Sequence, residues 1–487
     1  MTDQVTVATT RGRVLGERRG GSVRFLGIPY AEAPVGDLRF AAPVPAEPWE
    51  GVRAALAYGP TAQRRALAEV TVIPEPTIPG AETLNLNVFT PDPSPDAGLP
   101  VLVWIHGGGF MAGCSASPWY DGRAFNRDGV VLVSVGYRLG VEGFLHVEGA
   151  PDNRGVLDWI AALEWVRDNV AGFGGDPAKV TIAGQSAGGG AVQTLMATPS
   201  AHGLFRAALS VSGAVMAPQT RADGLAVAAR FTERTGVPAT VAELRDRSDD
   251  ELLDLMDKLT GPGPGEPPSV ALRLAPFADG ELVPAPVPEA FADGTAADVP
   301  LMLGFTRDEF TSFLELAAAD LPAEALPSAL RHTGVPAGVV DGYLALHRGD
   351  SPGRIVGGSV TDVLFRVPAL AIAEARARRS LPTWFYEFGW TAPPSVPVGG
   401  GRAGHCLDLP FAFDLLDAEG VTAVAGEAPP QGLADAMHAA WVAFVRDLDP
   451  GDRWPRYTAE DRRTMVWDAE PRVRPDPLRP ERELWLG

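Results

Sequence analysis

At 487 residues the chain is long enough to bury a large core without difficulty. Its 41 Lys and Arg stand against 61 Asp and Glu, a formal charge of −20, with lysine only at Lys179 and Lys258; this argues against nucleic acid and anionic membrane surfaces as partners, since both need clustered cations. Cys114 and Cys406 are the only cysteines, too few for a disulfide framework, and the opening residues lack a signal peptide's basic region and apolar run. No stretch approaches the ~20 apolar residues that span a bilayer, so a cytoplasmic enzyme is expected.

Residues 101–105 (Val-Leu-Val-Trp-Ile) and 130–135 (Val-Val-Leu-Val-Ser-Val) read as buried strands, being short, β-branched and bounded by Gly or Pro. Residues 152–170 read as a helix with Val156, Trp159, Ile160, Leu163, Val166 and Val170 at helical spacing. Asp152 and Asn153 offer caps at its start, and Gly172, Gly174 and Gly175 stop it. Residues 180–183 form the next strand, followed at once by a small-residue helix over 187–197. Residues 207–211 and 300–303 are further strand candidates. Strands alternating with helices predict an α/β protein with a mainly parallel sheet covered on both faces.

Between 223 and 259 the pattern turns helical, with a capping box at Ser248-Asp-Asp-Glu251. Residues 261–268, rich in Gly and Pro, read as a surface loop. A second such stretch over 393–404 runs directly into His405. No internal repeat or domain-length linker interrupts the chain. One catalytic domain over 1–487 is expected, with helical excursions above the sheet at roughly 215–295 and 310–380.

Gly184-Gln-Ser-Ala-Gly188 has the form G-x-S-x-G, directly after a strand and before a helix. A serine on so tight a turn needs small neighbours two residues either side, and the helix behind it presents free N–H groups and a positive dipole end. Ser186 is therefore the candidate nucleophile. The same glycines resemble a short-chain dehydrogenase phosphate loop. The positions four before Lys179 and Lys258 are Gly175 and Asp254, however, so the Tyr-x-x-x-Lys pair of such enzymes is absent. His106-Gly-Gly-Gly-Phe110 follows the strand at 101–105, and its glycines suit an oxyanion hole whose donors are backbone amides. The amide of Ala187 adds a third donor.

Seven histidines compete for the role of base. His106 belongs to the oxyanion loop, His438 lies on a helical face suited to core packing, and His146, His202, His332 and His347 lie in polar or terminal settings. His405 sits where a Gly-rich loop meets Leu409-Pro-Phe-Ala-Phe413 and satisfies the chain order Ser, acid, His. His405 with Asp408 suggests a metal only weakly, since no further ligands cluster nearby. The acid should follow a strand between the two, where Asp308 and Glu309 both qualify on position.

These residues resemble the type B carboxylesterases, the family that also contains the cholinesterases. The resemblance runs from about Thr10 to Phe413 through Phe25-Leu-Gly-Ile-Pro-Tyr-Ala31, Pro34-Val-Gly-Asp-Leu-Arg-Phe40, Leu86-Asn-Val-Phe-Thr-Pro91, His106 to Phe110, Tyr137-Arg-Leu-Gly140, Gly143-Phe-Leu145, Asn169 with Phe173-Gly-Gly-Asp-Pro177, Gly184 to Gly189, Asp308-Glu309 and Gly404-His405. It implies the α/β-hydrolase fold with a gorge-like pocket above the sheet. It selects Glu309 over Asp308 as triad acid and places the oxyanion donors on Gly108, Gly109 and Ala187. The chain departs from the family at Gln185, where the family usually has Glu. It also lacks the cysteines near Ala62 and Thr83 that an early family disulfide needs, and the tryptophan between Arg53 and Val103 that holds choline.

The expected activity is hydrolysis of small to medium neutral carboxylic esters through an acyl-enzyme on Ser186, with His405 as base and Glu309 behind it. No cofactor or metal is called for, and the expected partner is a small-molecule ester alone. An amidase or carbamate hydrolase using the same residues, or a non-catalytic interaction protein of the same fold, remain the alternatives.

Overall fold

The apolar β-branched runs pair into one sheet. The computed structural model describes residues 3–66, 72–213, 219–263, 272–295 and 299–487, without the side chains of Ser312 and Phe313. Its first strands are β1 (Gln4–Ala8), β2 (Arg13–Arg19), β3 (Ser22–Pro29), β4 (Val52–Ala54) and β5 (Asn85–Thr90). The middle of the chain supplies β6 (Leu99–Ile105), β7 (Val131–Val135), β8 (Gly175–Gln185) and β9 (Ala207–Val211). The remainder are β10 (Leu301–Thr306), β11 (Thr383–Phe388), β12 (Arg463–Trp467) and β13 (Arg472–Pro475).

The sheet order is β1-β2-β3-β5-β7-β6-β8-β9-β10-β11-β12-β13, with β4 paired to β2. From β7 to β12 every pairing is parallel, and the strands outside that block are mainly antiparallel. The chain leaves β6 for β7 on one side and continues from β8 to β9 on the other. That reversal opens a crevice at the carboxyl ends of β6 and β8, where ligands of open α/β sheets bind.

Side-chain alternation along β6 builds the two core layers. Val101, Val103 and Ile105 join one apolar cluster, and Leu102 and Trp104 join the cluster on the opposite face. Trp104 is fully buried, with Phe413 at 4.8 Å and Tyr120 at 5.4 Å between ring centroids. The central strands thus read as continuous apolar runs because both their faces are covered.

Local signals place most elements and mistake some details. β8 begins at Gly175, five residues before the expected start, and runs unbroken to Gln185. Residues 223–259 divide into the helices Arg221–Thr235, Val241–Leu244 and Asp249–Thr260. The expected capping box is present: Ser248 Oγ accepts from the Glu251 amide, and Glu251 Oε2 accepts from the Ser248 amide at 2.7 Å. Asn153 does stand at the start of helix Arg154–Asn169, with φ of 54°, but its side chain makes no cap. Instead its carboxamide donates to Phe277 O and accepts from the Phe277 amide, tethering a distant loop. Asp152 is likewise turned away, toward His146 Nδ1 at 2.7 Å. The Gly/Pro-rich loop over 261–268 lies outside the described residues from 264 onward.

No clear membrane span is found among the described residues, in keeping with the lack of a ~20-residue apolar run in the sequence. The 26-residue helical run Pro352–Ala377 passes for one by length and composition alone. Yet 72% of its most apolar stretch is buried inside the fold, as in a core helix. A π-helical turn at Asp362–Arg366 interrupts it.

Candidate active site

Strand β8 ends at Gln185, and the helix Ala187–Met196 starts one residue after Ser186. Ser186 has φ of 57° and ψ of −122°, a strained backbone that aims its side chain off the turn. The flanking glycines make the turn possible. A Cβ on Gly184 would lie 2.4 Å from the Gly188 carbonyl, and one on Gly188 would lie 2.0 Å from Ile105 O. The helix that follows Ser186 therefore lies almost directly on β6, whose carboxyl end carries the glycine loop.

The glycine loop is packed as closely. Gly108 and Gly109 have φ of 109° and 60°, and a Cβ on Gly108 would lie 2.2 Å from Ala112 O. His106 anchors the start of the loop: Nδ1 lies 2.8 Å from Gly107 O, and the ring stacks on Tyr137, whose hydroxyl donates to His106 O at 2.9 Å. Burial lowers its pKa to about 3, so His106 is neutral and structural. Among the described hydrogen bonds the amides of Gly108, Gly109 and Ala187 donate to no protein acceptor. Backbone N–H groups left without a protein acceptor can bind an oxygen that gains negative charge.

Glu309 and His405 arrive from the neighbouring strands. Glu309 lies in the turn after β10 and is 1% exposed. Its Oε1 accepts from the Thr306 amide at 2.8 Å, and its Oε2 forms a short hydrogen bond to His405 Nδ1. Asp308, its neighbour, faces the other way. Its Oδ2 accepts from the Ala403 amide at 3.0 Å, while its own amide donates to Ala403 O at 3.0 Å. Asp308 thus pins the segment leading into His405 and does not reach the imidazole. Residue types alone left the two carboxylates equivalent; only the fold separates them.

Phe310 and Phe365 cover the His405 ring at centroid distances of 4.6 and 5.1 Å. Phe365 comes from the π-helical turn, and the next residue, Arg366, donates to Arg307 O at 2.9 Å and pairs with the buried Asp362. One turn of helix therefore braces both the imidazole and the turn that carries Glu309. Burial opposes charging of His405, but Cys406 and the Glu309 carboxylate favour it strongly enough to hold its pKa well above the ordinary range.

Two further side chains meet the Glu309–His405 pair. Gln185 is 1% exposed, and its carboxamide nitrogen lies 3.1 Å from His405 Nε2. Asp408 is fully buried, with Oδ2 accepting from the Tyr386 hydroxyl at 3.1 Å. Burial first and the Glu309 charge second push its pKa up to about 7. The only sequence signal for it was a carboxylate three residues after the histidine. His438 packs in the core against Ala412 O and Asp128. Among the described residues no group of three His, Cys, Asp or Glu is placed to hold a metal ion.

A serine on a strained strand–helix turn, beside free amides and a carboxylate–imidazole pair, is a constellation suited to acyl transfer. The model of the carboxylesterase family matches residues 3–485. The chain belongs to the carboxylesterase family. It is 36% identical to the para-nitrobenzyl esterase of Bacillus subtilis (strain 168), covering 99% of this chain and 98% of that protein. It is 35% identical to the phenmedipham hydrolase of Pseudarthrobacter oxydans, covering 97% of each. A solved PNB esterase superposes with a TM-score of 0.85 at 34% identity, covering 98% of this chain and 99% of that one. The fold is the α/β-hydrolase fold, and this carboxylesterase hydrolyses carboxylic esters.

Proposed function

We propose that ester hydrolysis runs through a Ser186–His405–Glu309 triad and an acyl-enzyme on Ser186. His405 accepts the Ser186 proton as the hydroxyl attacks the ester carbonyl. The amides of Gly108, Gly109 and Ala187 receive the oxyanion. His405 then protonates the departing alcohol, and water repeats the cycle to free the acid. The observation that carries this reading is the carboxylate–imidazole bond between Glu309 and His405, made across 96 positions of chain. The Thr306 amide holds that carboxylate from behind, so the imidazole has a fixed proton on Nδ1 and a lone pair on Nε2.

We read residues 1–487 as one catalytic domain, with the helical segments near 215–295 and 310–380 as excursions over the site. The substrates are small to medium neutral esters. A net charge of −20 disfavours the approach of anionic ones. The setting is a reducing one such as the cytoplasm, consistent with two free, buried thiols at Cys114 and Cys406.

The experiment is labelling with a fluorophosphonate followed by peptide mapping, together with turnover of p-nitrophenyl esters of rising acyl length by the wild type and Ser186→Ala. One label per chain, on Ser186, and a folded variant without turnover are expected. Stoichiometric labelling of another serine overturns the assignment.

A further inference from the structure

The contact between Gln185 and His405 lies outside the triad, and its meaning rests on the proposed roles of Ser186, His405 and Glu309. With its Nδ1 proton given to Glu309, a neutral imidazole offers one lone pair, on Nε2. That is the atom required to accept the serine proton. The Gln185 carboxamide nitrogen stands 3.1 Å from it, directed there from the last residue of β8. We infer that Gln185 is a positioning residue: its N–H holds the Nε2 lone pair of neutral His405, keeping the imidazole in its base form until the Ser186 hydroxyl takes that place.

A carboxamide N–H cannot share a line with the N–H of an imidazolium. The bond therefore exists only while His405 is neutral, and a hydrogen bond to the neutral form opposes charging. The other groups facing the ring divide unequally. Glu309, in the turn after β10, favours the imidazolium. Cys406, on the histidine's own segment, also favours the imidazolium, although burial pushes its own thiol up. Asp408, at the start of the following helix, has its carboxyl raised to about 7. From the π-helical turn comes the uncharged ring of Phe365, while Arg366 beside it points to Arg307 O. Phe310 covers the ring from the triad-acid turn. Gln185 is the polar side chain among these that works against Glu309.

A glutamate at the same place reverses the effect, because a carboxylate accepts only and sits against Nε2 with a full charge. A methionine keeps most of the volume and supplies no donor. The experiment compares kcat/KM–pH profiles of the wild type, Gln185→Glu and Gln185→Met on one p-nitrophenyl ester, each read against its own plateau. Fluorophosphonate mapping is run on all three. The acidic limb moves upward in Gln185→Glu by about one to three pH units, from a charge ~4 Å away at an effective dielectric of ~20. In Gln185→Met it moves upward by about half to one unit, the size of one ordinary hydrogen bond. On the wild type, nitrogen-15 NMR of the histidines at a pH on the plateau should find His405 protonated on Nδ1 and bare on Nε2.

Unmoved limbs in folded variants, a downward shift in Gln185→Glu, or a wild-type Nε2 that carries the proton on the plateau would each overturn the inference. The wild-type spectrum decides the matter even if neither variant folds. Label on a serine other than Ser186 instead defeats the triad on which the inference rests.

Discussion

Consider Glu309→Gln, a change of one atom in a fully enclosed position. The carboxylate has two oxygens and uses both, one on the Thr306 amide at 2.8 Å and one on His405 Nδ1. A carboxamide has one acceptor. The backbone donor of Thr306 cannot turn away, and leaving it unmet in a buried site costs about 1–3 kcal/mol. The glutamine oxygen therefore goes to Thr306 and its NH2 faces His405. Nδ1 must then accept, which moves the ring proton to Nε2 and abolishes the lone pair that takes the serine proton. Reaching the productive tautomer requires turning the amide against Thr306, and the imidazolium that forms next lacks a partner charge worth up to about 4 kcal/mol at ~4 Å and an effective dielectric of ~20. Together these correspond to a loss of about 10³–10⁴-fold in kcat/KM. Raising the pH does not restore it, because the fault is a tautomer and not a protonation state. The assay is p-nitrophenyl ester turnover across pH, with circular dichroism to establish folding. Asp308→Asn is the control: its remaining oxygen still meets the Ala403 amide, so its loss stays below about threefold. A folded Glu309→Gln that loses less than tenfold, or an Asp308→Asn that loses more than it, refutes the reasoning.

Two further expectations concern stability. Asp408 binds a proton in the fold up to about pH 7, whereas an unfolded aspartate releases it near ~3.9. Its contribution is thus fully present below ~4 and is lost as pH rises through about 7. Asp408→Asn, which keeps an oxygen for the Tyr386 hydroxyl, should melt higher than wild type at pH ~8, by at most about 4 kcal/mol, and lose that advantage by pH ~4; equal melting shifts at both pH values would contradict this. Arg366→Met leaves Asp362 buried without its cation and removes the donor to Arg307 O. A loss of about 3–5 kcal/mol in urea unfolding is expected, with part of it recovered in Arg366→Met/Asp362→Asn; a double variant no better than the single would show that the pairing is not what matters.

The amino-acid sequence determined, without help, whatever depends on atoms a few bonds apart. The buried strands followed from short apolar β-branched runs, and the capping box at Ser248 followed from a four-residue spacing. Gly184 marked Ser186 as the candidate nucleophile because a Cβ there would collide with the Gly188 carbonyl four residues on. Tertiary structure decided whatever depends on a partner far along the chain. Asn153 obeyed the position rule for a cap and was drawn off by Phe277, 124 residues away. Asp308 and Glu309 are adjacent and chemically alike, and successive residues of a turn point to different sides; which one meets the imidazole was settled when the segment 403–405 closed over β10. Gln185 lies 220 residues from His405, and Asp408 holds its proton because the packed protein withholds water and sets Glu309 nearby. Local sterics are written into neighbouring residues, whereas the protonation and pairing of a buried polar group depend on surroundings that exist only after the chain has folded.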